Sequence, residues 1–259
     1  MSLVTNEYIK KISDLNLKYG SGITFHKKAS KYLSKFSDKD FIVKVFKEKF
    51  NEIKNSESNN LFPNFEFFNN THFSLRFNFF LRNESLESNE GIYLIHHHGN
   101  NILTTKMIYG PGYRAINFDN AGHKLVVKKK ICHQLKNTYT IDEYTPHIIF
   151  NVDSFSVTCN LWTTSLQNIE SSQIDRENFY FKNGIYFKIK DSEIREFSTI
   201  ENSNKSLLFN CYIYWLNSLG IELDYLNNHF SIDKSLIEKE PKINNLRSIL
   251  NIKMKYEDF

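Results

Sequence analysis

Several things are scarce in this chain, and each scarcity removes a class of protein. Only 9 of 259 residues are glycine and 4 are proline. No GxSxG, GxxxxGK[ST] or GxGxxG occurs, which removes the serine-hydrolase elbow, the phosphate-binding loop and the dinucleotide fingerprint. Three cysteines, Cys132, Cys159 and Cys211, cannot all pair with one another, and their spacing matches no zinc motif. A reducing cytoplasm is the expected location. No apolar run approaches the roughly 18–20 residues of a membrane-spanning helix. The segment from Met1 to Glu7 has neither the basic nor the apolar region of a signal peptide, so no membrane partner is expected. Arginine is scarce too, at six of 33 basic residues. The lysines are spread along the chain, with one compact run at Lys128–Lys130. The net charge of +4 therefore lacks the clustered, arginine-rich footprint of a nucleic-acid binder.

What is present is globular: 41% hydrophobic, 24% charged and 15% aromatic residues, enough to bury a full core. The first third reads as helix. Ala29, Tyr32, Leu33 and Phe36 share one stripe, and Ile42, Phe46, Phe50 and Ile53 continue a second one after a capping signal at Ser37 and Asp40. A polar linker at 55–60 closes this region. After Pro63 the texture changes to short strands rich in Phe, Ile, Val, Thr and Tyr. They are expected at 71–81, 92–98, 103–109, 113–118, 125–131, 138–141, 147–152 and 156–163, separated by turn residues such as Gly110-Pro111-Gly112. In the first of these, Leu75, Phe77, Phe79 and Leu81 share one face; Ser74, Arg76, Asn78 and Arg82 share the other, whose large apolar member is Phe80. Further on come a hairpin around Asn183-Gly184, an apolar helix at 206–219 stopped by Gly220, and helices within 231–252.

Three consecutive histidines at 96–98 are the chemical focus. In a strand, residues two apart point the same way, so His96 and His98 project together while His97 faces the outer layer or solvent. Two neutral imidazoles at that spacing can bind one iron, copper, nickel or zinc ion. The pair alone is equally compatible with a solvated loop turned by Gly99-Asn100-Asn101. The surrounding pattern adds to it. The segment GIYLIHHHGNNILTTKMIYG, from Gly91 to Gly110, resembles the first cupin motif of glycine, His-x-His and closing glycine. Downstream, YTPHIIFNVDSFSVTCNLWT resembles the second motif, with Pro146, His147 and Asn151 in its roles.

The resemblance covers about residues 70–165. It implies an α+β protein: a central antiparallel β-barrel of cupin, jelly-roll type at 61–167, an N-terminal helical segment at 1–60 and a C-terminal hairpin and helical extension at 168–259. It also implies His96, His98 and His147 as the ligands of one metal. Leu103 stands where the family usually has a glutamate ligand, which leaves a three-histidine site similar to that of cysteine dioxygenase and related thiol dioxygenases. That branch implies Fe(II), with Zn, Ni or Mn as other metals, acting on a small polar or amino-acid-like substrate and dioxygen. Arg76 is the implied carboxylate clamp, since a guanidinium fork suits that partner. Thr158, Asn160 and Trp162 alternate onto one strand face and are expected to line the pocket. The branch's Cys–Tyr crosslink would fall on Leu103 and Trp162, and its outer histidine on Asn160, so a thiol substrate does not follow. A redox-neutral metal-dependent lyase or isomerase, and a non-enzymatic ligand-binding cupin, remain rivals. A homodimer is a further expectation from the resemblance. Cys159 is expected to be a buried packing thiol, and Lys128–Lys130 a solvated strand edge.

Overall fold

The structure is a computed structural model that describes residues 6–56, 63–92, 94–121, 124–164, 178–182, 185–189, 207–222, 232, 240–242 and 254–259. Four helices open the chain: α1 Glu7–Tyr19, α2 Ile23–Leu33, α3 Lys39–Glu48 and α4 Phe50–Lys54. α1 starts where the Asn6 side chain accepts the N–H groups of Tyr8 and Ile9, at 2.9 and 3.3 Å. α3 is capped by Asp38, which accepts the Phe41 N–H at 3.0 Å. The expected cap at Ser37 is displaced for a local reason. That residue ends a 3-10 turn, Ser34–Ser37, and its hydroxyl donates to the Ser34 carbonyl at 2.7 Å. The second apolar stripe is carried by two helices, α3 and α4, with a break at Lys49.

Eleven strands follow: β1 Asn64–Asn69, β2 Ser74–Phe80, β3 Ile95–His96, β4 Asn101–Tyr109, β5 Tyr113–Ala121, β6 Lys124–His133, β7 Thr138–Ile141, β8 His147–Ile149, β9 Ser156–Thr164, β10 Asn178–Lys182 and β11 Ile185–Ile189. An apolar helix, α5, spans Leu207–Ser218. The strands form two antiparallel sheets, ordered β1-β2-β9-β4-β7 and β11-β10-β3-β8-β5-β6. No ladder joins them among the described residues, so the expected barrel takes the form of two facing sheets rather than a closed cylinder. The residue pattern does not single out β1, and β3 is far shorter than the expected 92–98 strand. The hairpin β10–β11 extends the second sheet by pairing with β3. Most of 231–252 lies outside the described residues.

Alternation along β2 and β9 sorts the side chains into two environments. Leu75, Phe77, Phe79, Val157, Cys159 and Leu161 are fully buried against the helices, with Phe25, Phe36, Phe46, Tyr212 and Trp215 opposite. The other face of that sheet turns toward the second sheet, where Phe80 and Met107 meet Tyr113, Ala115 and Ile131. A third cluster lies on the far face of the second sheet. There Phe118, Leu125, Ile148 and Phe150 pack with Met254, Tyr256 and Phe259 from the end of the chain. Among the described residues, no helix is long and apolar enough to cross a membrane.

Candidate metal centre

His96 and His147 are direct cross-strand partners in β3 and β8. Their ring centroids lie 4.5 Å apart. His98 sits two residues beyond His96, where the chain turns through Gly99 at φ 61° and the Asn101 side chain donates to the His98 carbonyl at 2.9 Å. Its ring is 4.6 Å from that of His147 and 5.3 Å from that of His96. One ring nitrogen from each of the three lies within 4.8 Å of the others, a spacing that could hold a metal ion.

Two of these rings have a defined tautomer. Nδ1 of His96 lies 3.0 Å from the Leu94 carbonyl, and Nδ1 of His147 lies 3.0 Å from the Thr145 carbonyl. A carbonyl only accepts, so Nδ1 carries the proton in both and the Nε2 lone pair is available. Burial first, and the charge of His96 second, push His147 down to about 3, so its imidazole is neutral at pH 7. Neutral donors oriented by backbone carbonyls fit a transition-metal ion well.

His97 turns away from the pair as expected but is not solvent-facing. It is 3% exposed, its Nδ1 accepts the Gly99 N–H at 3.0 Å, and its ring lies 5.5 Å from that of Tyr144. Leu103, at the position of the family glutamate, is buried opposite Trp162. Trp162 packs against the His98 ring at 4.7 Å. The Arg76 guanidinium also lies over the indole, 5.6 Å from its centre. Arg76 is itself held by Glu66, with Nε and Nη2 each 2.8 Å from one carboxylate oxygen, and by the Ser74 hydroxyl at 3.1 Å. A ligand carboxylate at Arg76 would therefore compete with Glu66. Sequence reasoning misses this pairing because it does not identify β1; the register Glu66↔Arg76 exists only once β1 lies beside β2.

Asn160 and Thr158 occupy the inner face, opposite Arg76 and Asn78 on β2. The Asn160 and Thr158 side-chain oxygens are buried with no hydrogen-bond partner among the described residues, as are those of Asn78 and Asn117. Each unmet bond of this kind costs roughly 1–3 kcal/mol. Asn117 stands opposite His147. Asn151, matched to the second cupin motif, has a structural task. It accepts the Asn83 N–H at 2.9 Å and donates to the carbonyls of Asn83 and Leu86, both at 2.9 Å, so clamping the 83–86 turn.

No family model matches the sequence, and no curated protein matches it. Solved structures similar to part of it include three of bacterial origin. The TT1209 protein of Thermus thermophilus is 8% identical, with TM-score 0.31, over 42% of this chain and 89% of that one. A cupin superfamily protein from Desulfitobacterium hafniense DCB-2 is 10% identical, with TM-score 0.30, over 42% and 84%. The DMSP lyase DddQ of Ruegeria pomeroyi DSS-3 is 12% identical, with TM-score 0.28, over 41% of this chain and 49% of the lyase, about half its length. Likenesses this slight assign no chemistry to this chain.

Proposed function

We propose that this chain is a metal-dependent enzyme of cupin type, with His96, His98 and His147 holding iron(II) for an oxygenase reaction on a small polar substrate. The observation that carries the reading is the convergence of three imidazoles from two segments about fifty residues apart, with no carboxylate in the group. Bound there, the metal would supply Lewis acidity and open positions at which substrate and dioxygen meet. The chain's own residues do the rest. The carbonyls of Leu94 and Thr145 fix two of the rings, and Trp162 forms a wall against the part-exposed His98 ring. Glu66 holds the Arg76 guanidinium over the indole and so steadies that wall.

The test is elemental analysis of protein purified without oxygen. About one divalent metal per chain is expected for the wild type, and a loss of at least about tenfold in metal affinity for His98→Ala and His147→Ala. Wild-type protein free of metal, and indistinguishable from His98→Ala, would overturn the proposal. An oxygen electrode with candidate substrates then separates oxygenase chemistry from its closest rival. Turnover without oxygen uptake points to a lyase or isomerase using the metal as a Lewis acid.

A further inference from the structure

Strand β9 is buried on both faces, yet the two faces differ in kind. Toward the helices it presents Val157, Cys159 and Leu161, apolar and fully buried, and Thr163, whose hydroxyl is satisfied by His26 and the Ser21 carbonyl. Toward the second sheet it presents Thr158, Asn160 and Trp162. Thr158 is 0% exposed and Asn160 is 3% exposed, and the side-chain oxygen of neither has a partner among the described residues. The amide oxygens of Asn78, opposite Thr158, and Asn117, opposite His147, are in the same condition. Buried acceptors without donors lower stability, and valine or leucine would fill the same volume without that loss. Asn78, Thr158 and Asn160 break the packing rule together on the inner face of the first sheet, and Asn117 does so on the second sheet beside His147, which marks the space between them as kept for another purpose.

We infer that Asn78, Asn117, Thr158 and Asn160 form the recognition wall beside the histidines, and that it takes a small uncharged polyol or sugar rather than a carboxylate or phosphate. The inference deepens the metal-centre proposal and rests on it for where the reacting carbon would sit. Three amides and a hydroxyl each offer both donor and acceptor, and an alcohol offers both in return. A carboxylate offers acceptors alone, so it could take the Thr158 proton but would leave the three amide oxygens as unmet as before. It would also find the nearby cations engaged. Arg76 is bound by Glu66, and exposed Lys129 lies over the Tyr139 ring at 5.4 Å. Asn78, Asn117 and Trp162 are each part-exposed, while the amide oxygens of Asn78 and Asn117 are buried.

The experiment titrates Co(II)-loaded protein with millimolar glycerol, xylitol and glucose, and in parallel with acetate and inorganic phosphate. Thermal unfolding and the cobalt d–d absorption are followed. At least one polyol is expected to raise the unfolding midpoint and perturb the spectrum, while acetate and phosphate do neither. Thr158→Val and Asn160→Leu should bind Co(II) as the wild type does but respond to that polyol about tenfold more weakly or worse. Without ligand, Thr158→Val should unfold at the wild-type temperature or above it, since it removes a hydroxyl with no partner. A Thr158→Val protein that unfolds several degrees lower makes the hydroxyl structural and overturns the inference. So does a stronger response to acetate or phosphate, or a polyol panel without effect, which would leave ordered water as the partner of these groups. A protein that fails to bind Co(II), yet keeps a polyol response that Thr158→Val abolishes, would sink the metal proposal and leave the wall standing.

Discussion

His26 shows what a structural histidine looks like in this molecule. It reaches from α2 into the first sheet, with Nδ1 2.8 Å from the Thr104 hydroxyl and Nε2 2.8 Å from the Thr163 hydroxyl. Thr163 donates its own proton to the Ser21 carbonyl at 2.8 Å, so it must accept from Nε2–H, and Nδ1 is left to accept from Thr104. Both nitrogens are used, and none is left for a metal. Burial pushes this imidazole down to about 3. The unfolded chain takes up a proton near pH 6.5 and the folded one does not, so the neutral ring's contribution is complete above 6.5 and is lost as pH falls toward 3. The stability difference between wild type and His26→Leu should therefore shrink by about 1.4 kcal/mol per pH unit between about pH 6 and 4. Urea midpoints measured across that range check it. His147 is also depressed by burial, but its ring lies 4.5 and 4.6 Å from two other imidazoles, so one of its nitrogens could serve a metal where neither of His26's could.

Among the elements, β3 contributes His96 to the three-histidine group from the shortest strand described. Two residues long, it is held by β8 on one side and β10 on the other. Just upstream, the Gly91 N–H donates to the Met254 carbonyl at 2.8 Å, and the Tyr256 N–H donates to the Asn89 carbonyl at 2.8 Å. The segment leading to the histidines is thus strapped down from outside the sheet. The β4–β5 turn is the other place where backbone geometry governs. Gly112 has φ 96°, and a Cβ there would come within 1.8 Å of the His133 carbonyl oxygen. Gly112→Ala combines left-handed strain with a clash against rigid backbone, so a loss of about 2–4 kcal/mol in urea denaturation is expected. His133 is fully buried beside that turn, with its ring 4.9 Å from Tyr113 and 4.8 Å from Tyr139. Its neighbourhood is aromatic packing rather than the metal centre.

At the scale of the whole molecule, the first sheet separates a stabilising core from a chemical interior. Its helix-facing side is a dense aromatic cluster; Phe77 lies 4.5 Å from Phe67 and 5.0 Å from Trp215. Its inner side carries Asn78, Thr158, Asn160 and Trp162. The two functions should therefore come apart under mutation. Phe77→Ala should cost about 3–5 kcal/mol of stability while folded protein keeps its metal stoichiometry. His98→Ala should do the reverse, with metal lost and the metal-free midpoint nearly unchanged. Paired calorimetry and elemental analysis test the separation. If Phe77→Ala lost metal in proportion to stability, the core and the interior would be one cooperative unit.

Much of this was legible in the linear order of residues, because alternation is a local property. The burial of Leu75, Phe77 and Phe79, the shared side of His96 and His98 and the buried Cys159 thiol follow from which way successive residues point, whereas three successive exposed lysines on β6 go with its place at the sheet edge. What required tertiary structure was non-local. Glu66 beside Arg76, His147 beside His96, the burial of His97 and two sheets with no ladder between them among the described residues all depend on strand register and on which faces meet. The sequence by itself determined the alternation, the composition and the histidine spacing. Only the folded chain decided which polar groups find partners, because a hydrogen bond needs two groups within about 3 Å, and chain distance does not measure that.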